Sequence, residues 1–321
     1  GRSLWYDGIR TLLADLAAYP WITLAVSIRT PFEQIIVPPD LLGDQGLINI
    51  VHQGFKGFEF EAVKTYFSYY EIELQSMPLL DPEFSNPLFL KIFCQGLFGK
   101  KQRRLPKGWQ KFNAVFQNYL DQKNMLISAA IDADPKQHMV LKGMRVLAKE
   151  LLYTNRKHMS RERANVLCEE VRASDGWSKS LLNQLISEGL LLESVAIRKD
   201  GWSDTIEFGY ERFGDFLKAD YLSGYFEELP KYRDQPPFKD IFDSNWFGQS
   251  NLIDALSILI PEKFGRELYE FFPELSEDYM IANSFLNSLA WRAYSSINKE
   301  KTLAYIDRVL PSADELYERL L

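Results

Sequence analysis

Several chemistries are missing from this sequence. Of its 321 residues only two are cysteine, Cys94 and Cys168, and only three are histidine, His52, His138 and His158. Both cysteines lie in apolar periodic segments, so they are expected to be buried free thiols of a reducing compartment rather than a disulfide. No histidine has a Cys, His or carboxylate partner at metal-ligand spacing, which leaves no sequence case for a metal site. No apolar run reaches the roughly 18 residues of a membrane span, and no basic stretch leads into an apolar core as in a signal peptide. The expected compartment is the cytoplasm. A G-x-x-x-x-G-K-[ST] loop, a G-x-G-x-x-G loop and a G-x-S-x-G elbow are all absent, so no catalytic set declares itself. Charge of one sign is lacking as well: 25% of residues are charged, with a net of −7. That balance gives no support for a dedicated nucleic-acid binder.

What the chain has is apolar and aromatic mass. Hydrophobic residues make up 46% and aromatics 14%, enough for large buried clusters between packed helices. Leu4, Trp5, Ile9, Leu12, Leu13 and Leu16 recur at helical spacing and predict an amphipathic helix over 4–17, stopped by Pro20. The nearly continuous apolar run from Trp21 to Ser27 suits a strand buried on both faces, as in a parallel sheet. A weaker strand is expected near 52–58. Beyond residue 60 the strand signal fades into helices at 60–70, 86–97 and 108–131, then 138–154, 160–172 and 178–188. Two β-type runs around Asp200-Gly201 predict a hairpin, followed by a helix over 211–225. Three helices and a hairpin are the order of a winged helix. Residues 227–249 carry Pro230, Pro236 and Pro237 and are expected to be a junction. Helices are expected again at 250–259, 262–271, 277–295, 298–310 and 312–320, the last behind a Ser312/Glu315 capping box. Their short-looped succession suggests paired helices of a solenoid, although no clean period recurs.

A few local features carry chemistry. Arg29 follows the 21–27 run, and a buried parallel strand delivers such a residue to the crevice where ligands bind. An arginine there suits a phosphate or a salt bridge at the strand end, and position alone leaves both open. Asn86-Pro87-Leu88 opens a helix with proline in the first turn, where its missing N–H costs nothing. Lys100, Lys101, Arg103, Arg104 and Lys107 cluster in one loop. A solvated loop or an acidic intramolecular partner fits that cluster better than nucleic acid does. The candidate recognition helix, Ser178 to Leu185, has the single base Lys179, and the wing adds Arg198 and Lys199. A DNA reader needs more phosphate contacts than that, which favours a protein-packing role.

Taken in order, the strand ending in Ile28-Arg29-Thr30, the Asn86-Pro87-Leu88-Phe89-Leu90 segment, and Phe208-Gly209-Tyr210-Glu211-Arg212-Phe213-Gly214-Asp215-Phe216-Leu217 resemble the STAND class of P-loop NTPases. The likeness is closest to its NACHT-like bacterial members, which include antiviral sensors of phage proteins. It spans roughly residues 4–225 and continues loosely through Leu252 to Leu256, Pro261-Glu262 and Ser288-Leu289-Ala290-Trp291-Arg292. It implies a sensor role for Arg29 at the γ-phosphate, a place for Pro87 near the adenine, and a phosphate-facing position for Tyr210. The family commonly has a histidine there. A phenol donates a hydrogen bond but brings no positive charge, and Arg212 stands two residues on to compensate. Walker A and Walker B are missing, and the resemblance would place Gly1-Arg2 just after Walker B.

The expectation is therefore a mainly α chain in four parts. These are the C-terminal remnant of a parallel α/β NTPase core at 1–59, a helical lid at 60–135, a winged helix at 136–225 and a helical, solenoid-like sensor at 226–321. The intact parent is expected to hold ATP or ADP with Mg, whereas the chain alone binds none tightly and is not catalytic. A protein trigger at the C-terminal helices and a homo-oligomer on activation are the expected partners, with no membrane and no nucleic acid. Two other classes compete: a non-enzymatic winged-helix and helical-repeat adaptor, and a winged-helix transcription regulator.

Overall fold

The computed structural model describes residues 4–28, 37–38, 40–41, 48–74, 82–99, 101, 103–104, 112–198, 201–242, 250–289, 291–292 and 294–309. Among the described residues the chain is mainly helical, with 14 α-helices and one three-stranded antiparallel sheet. In chain order they are α1 (Leu4–Leu16), α2 (Glu59–Tyr69), α3 (Pro87–Gly99), α4 (Phe112–Ala130), α5 (Met139–Tyr153), β1 (Met159–Ser160), α6 (Arg161–Val171), α7 (Leu181–Ser187), β2 (Leu191–Arg198), β3 (Gly201–Phe208) and α8 (Glu211–Ser223). The short helices α9 (Leu229–Tyr232) and α10 (Phe238–Phe242) follow, then α11 (Ser250–Phe264), α12 (Leu268–Phe271), α13 (Tyr279–Leu289) and α14 (Lys299–Val309).

The parallel-sheet remnant expected at 1–59 does not form among the described residues. Residues 22–28 and 48–53 belong to no strand, and Trp21, Ile22, Leu24, Val26, Ile48, Ile50 and Val51 are exposed. The physical reason is that a strand needs neighbours to take its backbone N–H and C=O groups, and the described chain offers none there. Among the described residues the one parallel pairing is an isolated bridge between Glu73 and Arg104. What fixes this region locally is α1, whose Arg10 makes a two-pronged contact with Asp40 at 2.8 and 2.5 Å.

Helix starts follow their caps. The Asn86 side-chain oxygen accepts from the N–H groups of Leu88 and Phe89, at 2.9 and 3.2 Å, so α3 begins with an Asn cap and Pro87 at its first position. Leu90, Ile92 and Phe93 are buried and Leu88 is half-buried. Ser160 caps α6 and Ser180 caps α7 in the same way. In the sheet, β3 lies between β1 and β2, with Met159 opposite Ile206 and the hairpin running from Leu191–Phe208 to Arg198–Gly201. Of the expected Asp200-Gly201 turn, Gly201 opens β3 and Asp200 lies outside the described residues, as do Lys199, Arg29 and the Ser312/Glu315 cap.

Beyond α8 the structure corrects several boundaries. The proline-bearing junction is not irregular throughout: α9 and α10 form in it, pinned by Phe238, whose ring lies 5.8 Å from Phe226 and 6.4 Å from Phe242. Pro261 does not end a helix, because it sits within the last turn of α11. The helix expected over 277–295 stops at Leu289. Trp291 and Arg292 leave its end, both N–H groups donating to the Ser288 carbonyl at 2.9 and 3.0 Å.

The segment before α2 docks on the start of α3. Phe55 donates its N–H to the Ser85 carbonyl at 2.7 Å. Gly54 has φ +69°, and a Cβ there would stand 2.4 Å from the Ser85 oxygen and 3.1 Å from Pro87 Cδ. Both the left-handed backbone and the close approach demand glycine. Gly54→Ala is expected to lower the unfolding free energy by about 1–3 kcal/mol, measured by urea denaturation. An unchanged midpoint would show that this contact is dispensable.

Candidate functional site

Two of the three segments that carry the sequence resemblance meet in space. Phe89, in the first turn of α3, lies with its ring 5.9 Å from that of Tyr210, which immediately precedes α8. Phe116 of α4 closes the group, 6.0 Å from Tyr210, 5.1 Å from Phe213 and 5.9 Å from Phe216. Trp291, from the C-terminal helices, meets Phe89 edge to face at 5.8 Å. Phe89 and Phe116 are fully buried, and Tyr210 and Trp291 are 7% and 6% exposed. These edge-to-face and tilted geometries are the favoured ones for aromatic rings.

The joint at Phe208–Leu217 has a local cause. Gly209 donates its N–H to the Leu190 carbonyl at 2.9 Å, and a Cβ on it would fall 2.3 Å from the Gly189 oxygen. Only a residue without a side chain lets β3 end so close to the chain leading into β2. Tyr210 then turns into α8 with its ring directed to α3 and α4.

Arg212 is placed one step further. Its guanidinium faces Asp254 of α11 at 3.9 Å, both side chains being largely buried. A second set of charges ties α8 to its neighbours at Asp220. One carboxylate oxygen accepts from Lys263 of α11 at 2.7 Å, and the other from Arg145 of α5 at 2.8 Å. Burial pushes the Asp220 carboxyl up, but Lys263 and Arg145 outweigh it and hold the group below its ordinary value. Asp215, deeper in α8, goes the other way: burial raises it despite Lys218 at 2.9 Å. Both cysteines are buried and free, and burial lifts each thiol to about 12.

Among the four residues singled out from sequence, Tyr210 and Arg212 are brought into one region, and Pro87 heads the helix that carries Phe89. Arg29 lies outside the described residues. The described residues do not by themselves fit a nucleotide, because the Tyr210 ring is enclosed by Phe89 and Phe116 and Arg212 is turned to Asp254. A shallow cavity of about 260 Å³ is lined by Asp121, Asn124, Met125, Pro135, Lys136 and His138, and by none of these four. Its polar Asn124 is already engaged with Pro135 and Val140. No group of three or more metal-binding side chains is found among the described residues, and none of their helices is long and apolar enough to cross a membrane.

Sequence reasoning did not single out Phe89 or Phe116 as site residues. Phe89 sits one position from Leu88 and Leu90 in an apolar run, where helical spacing alone does not say which face meets a distant element. Phe213 and Phe216, three apart on α8, were the available signal of an aromatic face. The basic loop is clearer. Arg103 pairs with Glu71 at 2.5 Å and Arg104 with Glu73 at 2.8 Å, which are acidic intramolecular partners.

Truncating the node is expected to be costly. Phe89→Ala should lower stability by about 3–5 kcal/mol, the usual range for a buried aromatic, measured by denaturant unfolding. Asp220 gives a pH prediction. Its lowered pKa means that its contribution is complete above the unfolded carboxylate value and is lost as pH falls through the folded one. Asp220→Asn should therefore be less stable than wild type near neutrality, with the gap closing below about pH 4. Parallel stability–pH curves for the two proteins would contradict this.

No protein-family model matches this chain, and neither a curated protein nor a solved structure matches it.

Proposed function

We propose that the chain is part of a nucleotide-switched STAND-class ATPase that senses a protein trigger, such as a phage protein, and oligomerises in defence signalling. The observation that carries this reading is the ring contact between Phe89 and Tyr210. The two segments that resemble the family's lid and winged helix lie about 120 residues apart in sequence, yet they pack on one another. In this reading residues 1–59 belong to the NTPase core, 60–135 to the lid, 136–225 to a winged helix built from α5, α6, α7 and the β2–β3 hairpin, and 226–321 to a solenoid-like sensor. The protein works in the cytoplasm. The phosphate-binding loop that cradles ATP or ADP with Mg is supplied by sequence other than these 321 residues.

Within that scheme the residues of this chain hold a closed arrangement. Tyr210 does so through Phe89 and Phe116, and Arg212 through Asp254. Both act by protein contacts and not as phosphate ligands. Arg29 is the residue assigned to the γ-phosphate, and Pro87 shapes the adenine side. Binding of a trigger at the C-terminal helices shifts the balance between closed and open forms, which couples two sites through one equilibrium.

A non-enzymatic adaptor is the second reading, favoured by the sealing of Tyr210 within the aromatic node. A DNA-binding regulator is less well supported, because Lys179 of the candidate recognition helix is paired with Asp132 at 2.5 Å.

The test uses the full polypeptide encoded by the parent reading frame. Saturable ADP or ATP binding is expected for that polypeptide, with ATP binding lost on Arg29→Ala, and no tight binding is expected for the 321-residue chain. A full polypeptide that carries no phosphate-binding loop and binds neither nucleotide would leave the adaptor as the better reading.

A further inference from the structure

Trp291 and Arg292 are consecutive residues whose side chains anchor in different parts of the molecule. Trp291 inserts its ring against Phe89 of α3, in the node that also holds Tyr210. Arg292 turns back into the C-terminal helices. There its Nη1 donates to Glu267 at 2.6 Å and its guanidinium lies 5.2 Å from the Phe285 ring. Both backbone N–H groups hang from one carbonyl, that of Ser288 at the end of α13. We propose that this dipeptide is a two-pronged latch that fastens the C-terminal helices to the α3–α8 node, and that its release unseals Tyr210.

The two prongs differ in kind. The Trp291 prong is apolar and edge to face, a favourable contact with no unmet hydrogen bonds of its own to the Phe89 ring. The Arg292 prong carries a built-in cost. Arg292 is wholly buried, yet among the described residues its Nε and Nη2 have no hydrogen-bond partner. A buried charge needs every donor satisfied to repay its desolvation, and an unmet buried N–H is a standing penalty. Glu267 is itself committed elsewhere. It caps α12 reciprocally with Glu270, whose carboxylate is held in turn by Lys301 at 2.8 Å. The ion pair is therefore where the fastening gives way at least cost. Other attachments of the C-terminal helices run through α8 and α11, at Arg212–Asp254 and Asp220–Lys263, and through Phe226, whose ring meets Phe264, Phe271 and Phe272. Those contacts do not involve residues 291 and 292, so the latch is able to open while α11 stays on α8. This is a local opening of the kind that separates one cooperative unit from another.

The latch stands on these contacts alone, but its use as the link from trigger to lid rests on the nucleotide-switch reading proposed above. Its test needs no nucleotide, so the two fail independently. Amide hydrogen exchange is followed in the 321-residue chain for wild type, Trp291→Ala and the double variant Arg292→Met/Glu267→Gln. Trp291→Ala is expected to speed exchange at least tenfold in Pro87–Gly99 and in Phe208–Phe213, while Met139–Tyr153 and β2–β3 keep their protection. The double variant removes both buried charges and the two unpartnered guanidinium donors, while the glutamine introduced in place of Glu267 keeps an oxygen for the α12 cap, and is expected to slow exchange in the same two segments. If Trp291→Ala does not fold, Trp291→Leu reads the same segments while keeping most of the apolar volume. Uniform acceleration across the chain, or unchanged exchange at Pro87–Gly99, would overturn the latch. Acceleration by the double variant would overturn the assignment of the ion pair as its yielding point.

Discussion

The packing of Phe89, Phe116 and Tyr210 is the constraint on which the arrangement of the described chain depends. Three separate stretches contribute one buried ring each, and Tyr210 touches both Phe89 and Phe116. None of the helices α3, α4 and α8 buries this apolar surface alone. Because α8 leaves the sheet through Gly209 and packs on α5 and α11, fixing Tyr210 also fixes where the sheet and the C-terminal helices sit relative to α3. The charges then select among the arrangements that apolar packing allows. Asp220 is reached by Arg145 from α5 and Lys263 from α11, so its two oxygens set the rotation of α8 between those helices.

This division of labour explains what the sequence disclosed and what it withheld. The helices from α2 to α8 were legible from helical spacing of their apolar residues, whereas the Ser160 and Ser180 caps emerged only in the structure. The hairpin was legible from Asp200-Gly201 between two β-rich runs. The chain's central motif, Phe208 to Leu217, was visible as a pattern, and its glycine has a plain steric cause. Pairings between distant segments were not legible. Nothing in the residues around 89 announces Trp291, about 200 positions away, and nothing around Asp220 announces Lys263.

The failures at 21–27 and 227–249 have a common origin. A run such as Trp21 to Ser27 states that a segment is suited to burial, but not that a partner exists to bury it. Period and composition describe a residue's preference, whereas a strand is a property of at least two segments. The reverse error occurred at 227–249, where prolines announced a break. Phe238 and Phe242 packed well enough against Phe226 and Phe272 to fold short helices between them. Aromatic content decided that stretch, and proline only set its phase.

The bare runs near the N-terminus have a consequence of their own. Ile22, Leu24 and Val26 alternate along a segment that joins no strand or helix and stand exposed, as do Ile48 and Ile50. Such segments have the composition of a sheet interior while standing in water. A surface of this kind is a template for strand pairing between molecules, and a net charge of −7 spread over 321 residues repels only weakly at physiological salt. Concentration, more than temperature, then sets how long a solution of this chain stays monodisperse, and its shelf life becomes a readout of whether those edges are covered.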